Sequence, residues 1–544
     1  AIEHPMLSKS VERAQRKVEE RNFQIRKDVL EYDEIMEHQR QKFYGTRQRV
    51  LEGRDVRGLV FEYIRDTTTS AVNEFLNPNF SSICAAEFAR SKVECAIAPE
   101  RLRNKDLHEM EDAVRMDAKY ETGQVIDITL GEYIHAEDSE AKVDFDAAGL
   151  IKWARSRFGV ELTEEDLKQD GDATRESVRA RLDDAADAAI NAVDLSGLAR
   201  YTDREYGASE LCDWVRDMLG FEIKAEEVLR AQLTQQETKQ GGPIGFIMER
   251  AEQVYRTREI EYPVDFTMTL VRTLSQQRGI PEAADYLVTW ANNRFQLGWS
   301  MDFFKTNTPV SAREQLMTAS KKFVIENKIK EEIDIALSKK TDDELFEHLT
   351  TRFTRPVPES MRYLKGEERD QAIRARVETI LRAELMQLER RVLLDTLDDL
   401  WKGHLHAMTQ LRETIGFRAF SQNDPKIAYK REGSHMFSDM MDSTRERVTE
   451  YVFKAKLTPE VPQVAGGGPR AMGGGLGSGM GSAPTGTGTA RLPSGGGGVG
   501  SAFSVPGGLG GISGPGFGGG VGGGGSGMPR PPQTNPQGGK PPEV

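Results

Sequence analysis

An all-α protein is expected from this sequence, and three observations carry that expectation. Apolar residues step by three or four through residues 8–52, the same step returns on both sides of residues 416–423, and after Lys456 the composition turns to Gly, Pro and Ser. The first pattern predicts one long helix, the second an antiparallel two-helix hairpin, and the third a tail unable to build a core. In chain order the expected parts are a long helix at 1–55, a large helical region at 56–370, the hairpin body at 371–456 and a disordered Gly-rich tail at 457–544.

The long helix rests on a stripe of Val11, Ala14, Val18, Asn22, Ile25, Val29, Tyr32 and Met36, with Arg, Lys, Glu and Gln on the other face. At 1.5 Å per residue it is a rod of roughly 65 Å. A lone helix of that length is marginal in water, so its stripe is expected to be covered by other elements. Asn22, polar within the stripe, is the type of residue that sets register at a cost in stability.

Residues 56–370 alternate helical patterns with loops at 168–172 and 239–243. Trp153, Trp214 and Trp290 share a context: a small or β-branched residue follows each (Ala154, Val215, Ala291), and apolar residues lie five and seven positions on. The uneven spacing fits accreted helical units better than a regular solenoid and leaves duplication and coincidence both open.

The hairpin is the most informative stretch. Leu381, Leu385, Leu388, Val392, Thr396, Leu397, Leu400, His404, Met408, Leu411 and Ile415 keep one helix face buried until Gly416 interrupts it. Asp424 and Pro425 then supply an N-cap and a first-turn proline, and Ile427, Tyr429, Met436, Met440 and Val448 are expected on the apolar face of the returning helix. The loop between them carries Phe417 and Phe420. These rings either fold back on the hairpin, as an ordinary helical hairpin would have it, or stay exposed at its apex.

Composition narrows the function. The chain has 544 residues, a net charge of -13 and 29% charged residues, which suits several soluble domains and leaves no global basic field for nucleic acid. Cys84, Cys95 and Cys212 are odd in number and lack CxxC spacing, as expected of core thiols in a reducing compartment. No apolar run reaches the length of a membrane span, and the N-terminus shows no signal pattern, so a cytoplasmic location is expected. The chain opens at Ala1 without Met and is expected to be part of a longer polypeptide.

Catalytic constellations are not found. There is no GxxxxGK[ST] loop, no nucleophile elbow and no dinucleotide fingerprint. His404 and His406 lie on different faces of one helix and read as a packed and an exposed histidine, not a metal pair. Asp398 and Asp399 read as a solvated face. In the tail, Leu509, Ile512 and Phe517 are candidate weak docking points on what is otherwise a spacer.

Two blocks of residues resemble the C-terminal half of SecA, the ATP-driven motor of bacterial preprotein export. The first is Ile2-Glu3-His4-Pro5 followed by Ala14-Gln15-Arg16-Lys17-Val18-Glu19, Arg21-Asn22-Phe23 and Leu30-Glu31-Tyr32-Asp33, similar to the long helix of the helical scaffold domain. The second is Leu400-Trp401-Lys402, His404-Leu405, Met408, Leu411-Arg412, Asp424-Pro425-Lys426 and Tyr429-Lys430-Arg431-Glu432, similar to the two-helix finger. The resemblance implies that 56–370 is an enlarged helical wing domain.

It also implies a mechanism. A finger driven by ATP hydrolysis enters the SecYEG channel and contacts an unfolded preprotein. Phe420 takes the fingertip position with Phe417 beside it, and Arg412, Arg418, Lys426, Lys430 and Arg431 form a basic shoulder for the channel or for anionic membrane lipids.

The nucleotide-binding domains would precede Ala1, so ATP and Mg are implied for the motor half and not for this chain. It is expected to carry no catalytic residue, cofactor site or ATPase activity of its own. The family's C-terminal zinc segment is missing, since the last cysteine is Cys212, and no zinc is expected. The implied partners are the motor domains, the channel and the preprotein, with no nucleic acid, at the cytoplasmic face of the plasma membrane. The alternative is a stand-alone helical adaptor or coiled-coil scaffold without transport activity.

Overall fold

The computed structural model describes residues 5–133, 147–158, 163, 175–238, 241–353, 359–416, 418, 424–458 and 503–504. Among them the architecture is all-α. The N-terminal helices are α1 (Pro5–Glu52), α2 (Val56–Phe75), α3 (Phe80–Val93), α4 (Leu107–Tyr133), α5 (Ala147–Phe158) and α6 (Arg175–Ala192). There follow α7 (Tyr206–Leu219), α8 (Ala225–Thr238), α9 (Pro243–Arg278), α10 (Ile280–Phe295), α11 (Phe303–Thr306) and α12 (Pro309–Ile325). The last are α13 (Lys328–Leu337), α14 (Asp342–Phe353), α15 (Glu367–Leu381), α16 (Ala383–Thr414) and α17 (Pro425–Lys454). The extended structure among the described residues is a two-residue antiparallel pairing of Lys456–Leu457 with Phe503–Ser504. The remainder of the tail lies outside the described residues, and the expectation of disorder there with it.

The described residues divide into two compact units, one built from the chain up to Thr67, Met218–Gly220 and the chain from Ile247 on, the other from Thr68–Asp217 and Phe221–Phe246. Residues 56–370 contribute to both units.

In the second unit the core gathers Phe80, Ala85, Ala89, Leu102, Met110, Val114, Leu195, Leu198, Tyr201 and Tyr206. Cys95 is buried there, and Cys84 and Cys212 are half-buried free thiols. Burial pushes the Cys84 and Cys95 thiols up to about 11, which makes them poor nucleophiles at neutral pH.

In the first unit, α1 runs 48 residues because strong helix formers fill it and no glycine interrupts before Gly45. It stops at Gly53, whose φ of 70° permits the left-handed turn. The Gly53 amide donates to the Val50 carbonyl at 3.1 Å and the Arg54 amide to Arg49 at 3.0 Å, closing the helix end.

The stripe of α1 differs from the expectation. Val11, Val18, Ile25 and Val29 are at least half exposed, and Phe23 and Leu30 more so. Cover begins at Tyr32 and Met36 and becomes complete at Phe43 and Val50, because α16 and α17 pack only on this C-terminal half.

Leu381 ends α15 instead of opening the hairpin helix, and the chain turns at Arg382 (φ -115°, ψ 26°) before α16. Arg382 is buried with an ionic cluster. It donates to Glu389 at 3.0 Å, Tyr255 Oη at 2.7 Å and Glu259 at 3.2 Å, while Tyr255 donates to Glu389. Beside it Glu384 accepts from Arg294 and from Trp290 Nε1, each at 2.7 Å.

The tryptophan contexts recur as local structure. Trp153, Trp214 and Trp290 are half-buried, Ala154, Val215 and Ala291 after them are fully buried, and each helix ends five residues past its tryptophan, at Phe158, Leu219 and Phe295. Gly220 and Gln296, next in line, both adopt left-handed φ of 74° and 56°. Common helix ends are what the shared pattern encodes.

Candidate functional site

The hairpin forms as its pattern predicts. Leu385, Leu388, Val392, Thr396, Leu397, His404, Met408 and Ile415 are all buried, and Leu400 and Leu411 are half-buried. Asp424 caps α17, its carboxylate accepting from the Lys426 amide at 2.9 Å, and Pro425 occupies the first turn. Tyr429, Met440 and Val448 face inward. Ile427 does not, being 69% exposed, because two residues on a helix lie about 200° apart and Tyr429 holds the inner face.

Both hairpin helices are tied to α1 at one point. Gln39, buried on α1, donates through Nε2 to the Gly433 carbonyl of α17 at 2.9 Å and faces His404 Nε2 of α16 through Oε1 at 2.8 Å. With the amide nitrogen committed to Gly433, Oε1 must accept, so the His404 proton sits on Nε2. Burial lowers the His404 pKa below its ordinary 6.5, consistent with a neutral imidazole. His406 is exposed, as its register predicts.

Aromatic packing surrounds this joint. Phe43 stacks on Trp401 at 4.3 Å and 8°, Trp401 and Phe437 flank His404, and Tyr32 meets Tyr429 edge-on at 4.8 Å. Gly433 faces Met408, whose side-chain end a Cβ there would meet at 2.8 Å. Toward the far end of α1, Arg47 grips Asp398 with two bonds of 2.7 and 2.9 Å, so Asp398 is a structural partner, whereas Asp399 is mostly exposed and pairs with Arg447 at 3.3 Å.

At the apex, Phe417 and Phe420 lie outside the described residues. The shoulder cations divide into two sets. Lys426 pairs with Glu31 of α1 at 2.6 Å and Arg418 with Glu432 at 3.4 Å. Arg412, Lys430 and Arg431 are exposed on the hairpin flank. Gln39 and Arg47 escaped sequence reasoning, although Gln39 continues the line of Tyr32, Met36 and Phe43, and a polar residue on a buried line is a signal that it has buried partners.

Among the described residues no helix is long and apolar enough to cross a membrane, and no group of three or more His, Cys, Asp or Glu side chains is placed to hold a metal. The geometry is that of a helical scaffold carrying a two-helix finger on one long helix.

The SecA Wing and Scaffold domain family matches residues 1–98 and 306–456. The chain belongs to the SecA family, of which it carries the C-terminal wing and scaffold part. The protein translocase subunit SecA 1 of Rhodopirellula baltica is 30% identical over 477 residues, covering 84% of this chain and 37% of its own length. That alignment takes in part of 99–305, which the family match leaves out. SecA of Synechococcus sp. (strain JA-2-3B'a(2-13)) is 35% identical over 185 residues, 33% of this chain and 18% of that one. SecA of Cutibacterium acnes is 49% identical over 75 residues, 14% and 8% respectively. The chain thus spans well under half the length of these relatives. No solved structure matches it.

Proposed function

We propose that this chain supplies the scaffold, wing and finger of a SecA-type translocase, and that the finger pushes an unfolded preprotein through a SecYEG-type channel. The observation that carries this reading is the Gln39 joint. One side chain bonds both finger helices to the scaffold helix, so a displacement of α1 moves the finger as a body. ATP and Mg belong, on this reading, to motor domains that cover the exposed stripe of α1 between Val11 and Leu30.

Phe420, with Phe417, is the contact to the preprotein. A single ring there suits sequence-independent contact, because burying part of a Phe is worth about 1–2 kcal/mol whatever its neighbour. Arg412, Lys430 and Arg431 form the shoulder toward channel loops or lipid head groups at the cytoplasmic face, and Arg418 and Lys426 join it by exchanging their exposed ion pairs.

The test is cross-linking from Phe420→Cys with the motor half present. Adducts with a stalled preprotein or the channel are expected, while the native thiols, buried or half-buried with raised pKa, stay unreactive. Adducts from the outer face of the wing with none from position 420 would overturn the assignment and favour a scaffold protein without transport.

A further inference from the structure

A cavity of about 400 Å³ within the first unit is walled by Arg57, Arg256, Arg294, Arg374 and Arg382, with three glutamates, Glu252, Glu259 and Glu378, among them. We propose that it is a binding site for a small tetrahedral oxyanion, with phosphate as the simplest ligand.

The glutamates do not saturate the arginines. Glu259 is shared between Arg382 at 3.2 Å and Arg57 at 3.6 Å, and Glu252 between Arg256 at 3.2 Å and Arg57 at 3.5 Å. Behind the wall, Glu389 and Glu384 engage one edge each of Arg382 and Arg294. The other edges have no acceptor. Arg382 keeps Nε and Nη1 unpaired although only 4% exposed, and Arg294 keeps Nε unpaired at 8%. A buried cationic donor without an acceptor is costly, so a ligand that supplies oxygens is favoured there.

The arrangement is graded from floor to mouth. Arg382 and Arg294 are buried at the floor, Arg57 is half-exposed, and Arg256 and Arg374 stand exposed at the rim. Arg374 makes no ion pair among the described residues. Phe323, Ile329, Ile333 and Leu385 line the apolar part of the wall, and Asn327 and Lys330 complete its polar part. An oxyanion entering past the rim would meet guanidinium forks whose planar geometry matches phosphate oxygens.

The experiment is calorimetric titration of the whole chain with inorganic phosphate at constant ionic strength, with chloride as the control. Saturable one-site binding is expected, with sulfate competing. Arg374→Gln and Arg256→Gln, exposed and therefore compatible with folding, should each weaken it by about tenfold. Arg103→Gln, exposed in the second unit, should not. A circular-dichroism melt checks that the rim variants stay folded. No saturable phosphate binding, binding unaffected by both rim substitutions, or capture by phosphatidylglycerol vesicles in place of phosphate would each overturn the proposal.

Discussion

Replacing Gln39 by Ala should loosen the finger from its scaffold more than any other single polar truncation in α1. The substitution removes two buried bonds, the 2.9 Å bond to the Gly433 carbonyl and the 2.8 Å bond from His404 Nε2. The carbonyl keeps its place in the helical ladder of α17, so its loss is the smaller, about 1 kcal/mol. His404 is 5% exposed, and its N–H would be left without an acceptor, at about 1–3 kcal/mol. The sum is about 2–4 kcal/mol, confined to the joint. Native-state amide exchange is the suitable assay, because it reads local opening of α17 separately from the rest of the molecule. Amides of residues 429–440 should exchange roughly 30-fold to several-hundred-fold faster. Gln41→Ala, on the exposed side of α1, should leave them unchanged. An acceleration below about threefold in Gln39→Ala would refute the reasoning, since it would mean the amide bridges are not what holds the finger.

Two further outcomes are expected. The His404 pKa is lowered by burial, so the unfolded chain takes up its proton first as the pH falls. The stability contributed by neutral His404 is present above its ordinary 6.5 and is lost as the pH drops from there through the folded value. Because burial lowers His348 in the same direction, the measurement is the difference in pH-dependent stability between wild type and His404→Gln, and an identical slope in both would contradict the assignment. For the ionic cluster, Arg382→Met leaves fully buried Glu389 with the Tyr255 hydroxyl but without a cation, and should cost about 3–5 kcal/mol in urea denaturation. Adding Glu389→Leu and Tyr255→Phe should restore most of it, and a single variant as stable as wild type would show the pair to be dispensable.

The hairpin was legible because helical period encodes which face is buried. Leu385, Leu388, Val392 and Met408 announce themselves by spacing, and Asp424-Pro425 by the chemistry of a helix start. Ile427 departs from the face its apolar character suggests because Tyr429, two positions away and on the opposite side, holds the inner face. The ionic cluster was not legible. Glu389 lies four residues after Leu385 on the same buried line, yet a glutamate reads as solvent-facing until its partners are known, and those are Arg382 and the distant Tyr255. The arginine-lined cavity escaped for the same reason, its walls coming from α2, α9, α10, α12, α13, α15 and α16.

The long helix shows how one periodic stripe can serve two ends. Its C-terminal half, from Tyr32 to Val50, is fixed by aromatic stacking, the Gln39 bridges and the Arg47–Asp398 fork. Its N-terminal half carries the same spacing with Val11, Val18, Ile25 and Val29 exposed. A bare helix of that length gains too little from propensity alone to stay rigid in water, and the packing that fixes it among the described residues lies along the buried stripe. Because the helix is continuous between them, without proline or glycine from Met6 to Tyr44, a force applied at one half reaches the other without a hinge to absorb it. That continuity makes the Gln39 joint the point through which a displacement of α1 would pass to both hairpin helices.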